Sequence, residues 1–289
     1  YAFGVRDYIR YENLLDSIRW DINDFVDWVA SDNPRTKYRN LITQSGGDVT
    51  DYPVNALETV FYPTNKIRLP VDKENVIKSG LVKEKDRDLI VDYIDIDLPE
   101  SIITKNQIMM LDILANNNWE RPIYFTGGSY EESEYIWMKD YLQLDGLVYK
   151  LVPIKTSIEN NPYEMGRIDS DLMYDIVKKW SWGNSESDEI YHDPETRKNS
   201  ISFRSNLSRL SKVLINEGKN VQAEEIIDLA FSKMPIDYYG YYSLWTPFVQ
   251  AYYNINQDNK AREAAEQLSF KYSDKLNYFA SLEIFNQYD

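Results

Sequence analysis

Few residue types able to do chemistry are available in this chain. His192 is its one histidine and cysteine is absent, which excludes cysteine or multi-histidine zinc sites, thiol nucleophiles, disulfides and iron–sulfur clusters. Catalysis would have to rest on carboxylates, hydroxyls, lysine or His192 itself. His192 precedes Asp193, an order that could supply a general base oriented by a carboxylate. It stands in a polar stretch with no serine motif nearby, so a solvated ring is the simpler account. Asp92, Asp95 and Asp97 resemble a calcium loop in spacing but lack its glycine and closing glutamate. Alternation along a strand explains them better. Asp21, Asp24 and Asp27 could furnish a carboxylate pair for glycosyl chemistry, against which stands a solvated helix face. Among 47 acids such pairs arise without function. No catalytic residue, metal ligand or cofactor is assigned.

Two aromatic features suit recognition better. The stretch Tyr238, Tyr239, Tyr241, Tyr242, Trp245, Phe248, Tyr252 and Tyr253 carries rings that stack on apolar faces while donating hydrogen bonds, as sugar or peptide sites require. The competing account makes Trp245, Phe248 and Tyr252, at helical spacing, the inner face of a helix. The second feature is Trp119-Glu120-Arg121-Pro122, whose arginine could clamp an anionic group or simply form a structural ion pair. The binding candidates are therefore Trp119, Arg121, Tyr241, Trp245 and Tyr252.

The rest of the chain must position these residues. Its 289 residues are about right for two domains. Thirty-two basic against 47 acidic side chains leave a formal charge of −15, which argues against nucleic acid or an anionic lipid surface as partner. Glycine numbers 11, against roughly 20 at average usage, and no glycine-rich phosphate loop occurs. No run of 18 apolar residues could span a membrane. The chain opens on Tyr1 without a leader segment, so we expect it to be a piece of something longer.

Apolar residues at Ile18, Ile22, Phe25, Val26 and Val29 predict an amphipathic helix of about three turns, stopped at Asp32-Asn33-Pro34. Residues 35–55 read as a long loop or irregular hairpin, and 66–71 as a strand with Pro70 at an edge or an end. Ile94, Ile96 and Leu98 alternate with Tyr93, Asp95 and Asp97, a half-buried strand. Thr104 with Gln107 forms a capping box for a helix apolar on several faces, hence heavily buried, which Asn116-Asn117-Asn118 ends. Strands follow at 121–126 and 147–154. Between them Gly127-Gly128 makes a turn and Ser129 with Glu132 caps a short helix. This describes an α/β domain, a mixed sheet with helices, over residues 1–158.

After the connection at Asn160-Asn161-Pro162 no strand is expected. Asp169 caps a helix running to about Lys179, and 181–199 reads as a loop. An all-α domain then occupies 159–289. Helices are read around Leu207, Leu210 and Leu214, around Val221, Ala223, Ile226, Ile227 and Ala230, and over 244–255 and 261–270. Ala223 and Ala261 occupy equivalent places, a period of 261 − 223 = 38 residues. The region of about 203–289 thus looks like tetratricopeptide-type repeats.

Several strings carry a family resemblance: Gly4-Val5-Arg6-Asp7-Tyr8, Tyr62-Pro63-Thr64-Asn65-Lys66, Asn117-Asn118-Trp119-Glu120-Arg121-Pro122-Ile123-Tyr124-Phe125, and Tyr141-Leu142-Gln143-Leu144-Asp145-Gly146. The chain is similar to the soluble C-terminal part of a Bacteroidetes family of polytopic membrane proteins of unknown function, related to protein O-mannosyltransferases. The resemblance covers nearly the whole chain and implies a lipid-linked-sugar-dependent glycosyltransferase architecture. The present piece would lie on the extracytoplasmic (periplasmic) side of the inner membrane, tied to it only by upstream segments. The catalytic acid of such enzymes sits in an early loop outside this chain, so no catalytic residue is carried over. The expected role is a non-catalytic accessory domain with a protein or glycan acceptor as partner. The alternatives are a protein-binding scaffold built on the repeats and a carboxylate-based glycosidase.

Overall fold

The computed structural model describes residues 8–15, 17–31, 33–126, 137–156 and 165–286. The turn expected at Gly127-Gly128, the Ser129 to Glu132 capping box, the connection at Asn160-Asn161-Pro162, Asp32 and the first residues of the Gly4 to Tyr8 string lie outside them. Two compact units are present. One holds the described residues of Tyr1–Phe125, Ser129–Gln143 and Tyr149–Gly166, the other those of Thr126–Gly128, Leu144–Val148 and Arg167–Asp289.

The chain begins with β1 (Tyr8–Tyr11), β2 (Trp20–Asp21) and α1 (Ile22–Ala30). Helix α1 is shorter than the spacing predicted. Asp21 caps it by accepting from the Asn23 N–H at 2.8 Å, which fixes the helix start after Ile18 and leaves that residue half exposed. Ile22, Phe25, Val26 and Val29 form its buried face. The expected loop at 35–55 instead contains α2 (Tyr38–Gln44) and α3 (Val54–Leu57). Both are too short for periodicity to register, and each buries a single residue, Ile42 and Leu57.

Strands β3 (Phe61–Tyr62) and β4 (Lys66–Pro70), helix α4 (Lys73–Lys78), β5 (Tyr93–Asp97) and β6 (Ile102–Thr104) follow. One sheet has the order β3-β1-β6 and another β2-β4-β5. In the second, β4 lies between a parallel and an antiparallel neighbour, so Pro70 marks a strand end rather than an edge. On β5 the alternation holds, with Ile94 and Ile96 buried while Tyr93, Asp95 and Asp97 point outward. Helix α5 (Lys105–Asn117) opens on the complete Thr104–Gln107 capping box and closes at left-handed Asn118. It is less buried than expected. Ile108, Leu111 and Leu114 form a single inward stripe, whereas Met109 and Ile113 are each 49% exposed. A third sheet of order β7-β9-β8 is made by β7 (Tyr124–Thr126), β8 (Leu142–Asp145) and β9 (Val148–Leu151). All four residues of β8 are buried, so it lacks the alternation that would have revealed it.

The second unit is helical. Helix α6 (Ser170–Val177) is capped by Asp169, which accepts from the Leu172 N–H at 3.0 Å. Next come α7 (Pro194–Asn216), α8 (Asn220–Lys233), α9 (Ile236–Tyr239), α10 (Thr246–Asn254) and α11 (Asp258–Asn286). The expected loop at 181–199 ends early because Asp193 caps α7 and Pro194 occupies its first position. Leu207, Leu210 and Leu214 on α7 meet a core shared with Ala223, Ile226, Ile227 and Ala230 of α8, while Val221 turns out to solvent. The turns between α7 and α8 and between α10 and α11 each hold a left-handed residue, Gly218 (φ 74°) and Asn256 (φ 61°). They are 256 − 218 = 38 residues apart. No helix of the described residues is long and apolar enough to cross a membrane.

Candidate functional site

Of the five binding candidates, three are interior. Trp119 is 4% exposed and donates its indole N–H to the Pro70 carbonyl at 2.8 Å, pinning the residues after α5 to the end of β4. Trp245 is fully buried against Phe231, with ring centroids 4.4 Å apart, and against Phe248. Tyr252 is 4% exposed and also stacks on Phe231, with ring centroids 5.8 Å apart. Its hydroxyl donates to Asp228 at 2.6 Å, and burial, with Asp228 and Glu224 beside it, pushes its pKa up. Trp245 and Tyr252 are packed against other rings and Trp119 is buried with its N–H engaged, so these three serve the interior. Arg121 and Tyr241 are exposed, and Tyr241 holds a left-handed backbone at φ 48°.

His192 is not the solvated side chain expected. Its ring stacks on Tyr238 at 5.5 Å with the planes 9° apart, touches Tyr239, and bonds through Nε2 to the Ser187 carbonyl at 3.0 Å. Asp193 does not orient it. That carboxylate accepts from the Glu195 and Thr196 N–H groups and the Thr196 hydroxyl, and these bonds hold it below the ordinary carboxylate range. A helix cap and a stacked ring replace the imagined dyad.

A cavity of about 690 Å³ lies in the first unit, lined by Arg19, Val91, Asp92, Tyr93, Asp95, Asp97, Trp137, Asp140, Tyr141 and Lys155. Its floor is the outward face of β5. The acids that alternation assigned to solvent therefore line a cavity. Arg19, just before β2, reaches across: it donates to the Ile67 carbonyl at 3.0 Å and to the Asp97 carboxylate at 2.8 Å, with Asp95 3.6 Å away. Arg68, opposite Asp95 in the β4–β5 register, grips it with Nε at 2.7 Å and Nη2 at 3.1 Å and lies over the Tyr93 ring. Hydrogen bonding from Arg68, assisted by Arg19 and Lys155, holds the Asp95 carboxyl below its usual range.

Backbone bonds bring the remaining wall to this strand. The Val91 N–H donates to the Pro153 carbonyl at 3.0 Å, Val152 to Tyr141 at 2.8 Å, and Thr156 to Asp140 at 2.8 Å. Ile90 bridges Ile154. Three sequence-distant segments thus place Asp140, Tyr141 and Lys155 beside Asp92 and Tyr93. Trp137 holds a left-handed backbone at φ 59°, an uncommon state for a bulky residue. Burial, followed by Asp140 and Asp95, raises the pKa of the Tyr141 hydroxyl. Sequence reading missed Arg19, Trp137, Asp140, Tyr141 and Lys155. The density of aromatics and acids in residues 137–145 was a usable signal for three of them, whereas nothing local marks Arg19 or Lys155. Among the described residues no group of three or more His, Asp or Glu is arranged to hold a metal ion.

Small mixed sheets carrying a charged, aromatic-lined cavity, followed by a helical C-terminal region, define the class of this protein. Residues 1–172 match the family model of the TMEM260-associated domain 2, well over half of the chain. The chain belongs to that family. No curated protein and no solved structure matches it.

Proposed function

We infer that the chain is a non-catalytic accessory domain of a membrane glycosyltransferase-like protein related to protein O-mannosyltransferases, and that it positions an acceptor protein or glycan on the extracytoplasmic side. The observation that carries this reading is the family match over residues 1–172, a stretch that includes every residue lining the cavity of the first unit. Its chemistry supports binding over turnover. Asp95 and Asp97 are neutralised by Arg68 and Arg19, and Asp92 is paired with Lys73 at 2.8 Å. The test offers the purified chain a lipid-linked mannosyl donor together with an acceptor glycoprotein. Binding of the acceptor without sugar transfer is expected; transfer by these 289 residues alone refutes the reading.

A scaffold role for tetratricopeptide-type repeats is the second reading. It is favoured by the two left-handed turns 38 residues apart and by exposed Phe270, Leu276, Tyr278 and Phe279 on α11. Under it, Phe270→Asp with Leu276→Asp abolishes acceptor binding and Asp140→Asn does not. The reverse pattern removes the scaffold role. Nothing favours the glycosidase reading, since Asp21 is committed to capping α1.

A further inference from the structure

We propose that the cavity of the first unit is a saccharide site that takes a neutral oligosaccharide, with sugar faces on the ring of Trp137 and on the face of Tyr93 that Arg68 leaves open, and hydroxyls shared between Asp140 and Lys155. This rests on the acceptor-positioning reading and names the chemical class of the acceptor group.

Size is the first argument. At about 690 Å³ the cavity falls within the roughly 300–1,000 Å³ of small-molecule sites. The second is the state of its polar groups. Asp92, Asp95 and Asp97 already have cationic partners. Asp140 and Lys155 differ. The bond between Thr156 N–H and the Asp140 carbonyl sets their segments side by side, yet among the described residues neither side chain has an ion-pair or hydrogen-bond partner. A vacant acceptor and a vacant donor in one cavity match a sugar hydroxyl, which donates to the carboxylate and accepts from the ammonium. The third argument is the rings. Aromatic faces cover the apolar C–H side of a pyranose, which a purely charged cleft cannot do.

Charge narrows the class. Four carboxylates and two cations line the cavity, and Lys73 and Arg68 pair with two of those acids from beside it, so the site carries no excess charge, 4 − 4 = 0. A site without excess positive charge gives a phosphate, nucleotide or uronic acid no attraction to offset the cost of desolvating its charge. A basic peptide is the competing occupant, and the test includes one.

The experiment is isothermal titration calorimetry of the full chain with chitotriose, mannotriose, trigalacturonate and trilysine. At least one neutral trisaccharide is expected to bind, and trigalacturonate to bind at least tenfold more weakly. Asp140→Asn and Lys155→Met should each weaken the neutral ligand about tenfold, the scale of one charge-assisted hydrogen bond. Trp137→Ala should abolish binding. Asp24→Asn, exposed on α1 and outside the cavity lining, should change it less than threefold. Circular dichroism and melting curves of each variant establish that it is folded. The proposal is overturned if the folded parent chain binds neither neutral trisaccharide, if trigalacturonate binds as well as they do, if trilysine competes, or if the Asp140 and Lys155 variants bind unchanged. An acceptor glycoprotein titrated before and after enzymatic removal of its glycan separates the two readings. Equal affinity in both states, insensitive to Asp140→Asn, discards the saccharide site and leaves the accessory role standing. Sugar transfer by the chain itself removes the accessory role whatever the cavity binds.

Discussion

In the helical unit the rings gathered around Phe231 are consumed by one another. Phe231 stacks with both Trp245 and Tyr252, Phe248 meets it edge-on, and the Tyr252 hydroxyl is taken by Asp228. In the sheet-bearing unit Tyr93, Trp137 and Tyr141 share a cavity with charged groups, two of which have no ion-pair or hydrogen-bond partner among the described residues. The richest aromatic run in the sequence therefore gives Tyr239, Trp245, Phe248 and Tyr252 to the interior and leaves Tyr241 and Tyr253 exposed, while the cavity gathers its rings from segments more than forty residues apart. Aromatic density measures how much ring surface must be covered; covering it with other rings removes it from recognition.

The comparison can be broken most severely at Trp245. Trp245→Ala should cost about 3–5 kcal/mol of folding stability, the range for deleting a large buried aromatic, while Trp137→Ala should cost less than ~1 kcal/mol because its ring is only partly covered. Urea denaturation of the two variants reads both, and equal losses would erase the distinction. The two faces of β5 give a smaller, paired version. Ile96→Ala should lose about 2–4 kcal/mol, whereas Asp97→Ala, whose carboxylate is mostly exposed, should lose no more than ~1 kcal/mol. A costly Asp97→Ala would mean that the cavity floor is structural.

Arg204 sharpens the helical side. It is fully buried with no carboxylate beside it, and burial pushes its pKa down to about 10. Its fork donates to the Gly240 carbonyl at 2.7 Å and the Ser200 hydroxyl at 2.7 Å. Lysine cannot make both bonds, so Arg204→Lys should destabilise the protein by about 1–3 kcal/mol, measurable in the same denaturation series. The smallest effect concerns pH. The folded Asp95 carboxyl titrates below its usual 3.8. Its contribution is therefore present above that unfolded value and is lost as pH falls through the lower folded one. Stability of Asp95→Asn should accordingly depend less on pH below about 4 than that of the parent chain.

Much of the local architecture was legible. The β5 alternation, the Thr104–Gln107 box, the Asp169 cap and the helical faces of α7 and α8 all follow from short-range spacing, because strand and helix periodicities act within a few residues. The errors share a cause as well. Helix α1 starts late because Asp21 caps it, and α7 starts early because Asp193 does; a side-chain bond to a backbone N–H overrides hydrophobic spacing. Strand β8, buried at every position, and the short helices α2 and α3 carry no period to detect.

The composition determined which chemistries are closed to this chain. One histidine, no cysteine and a charge of −15 limit any site to carboxylates, hydroxyls, cations and rings, and local spacing determined most of the elements that hold them. Tertiary structure alone decided which of those groups meet. Whether an outward-facing aspartate on β5 sees bulk water or a cavity wall depends on the backbone bonds that join residues 90–91 to 153–154 and residues 152–156 to 140–141. Burial decides likewise whether a tyrosine or tryptophan keeps a free face. Both are properties of contacts distant in sequence, and no short window of residues contains them.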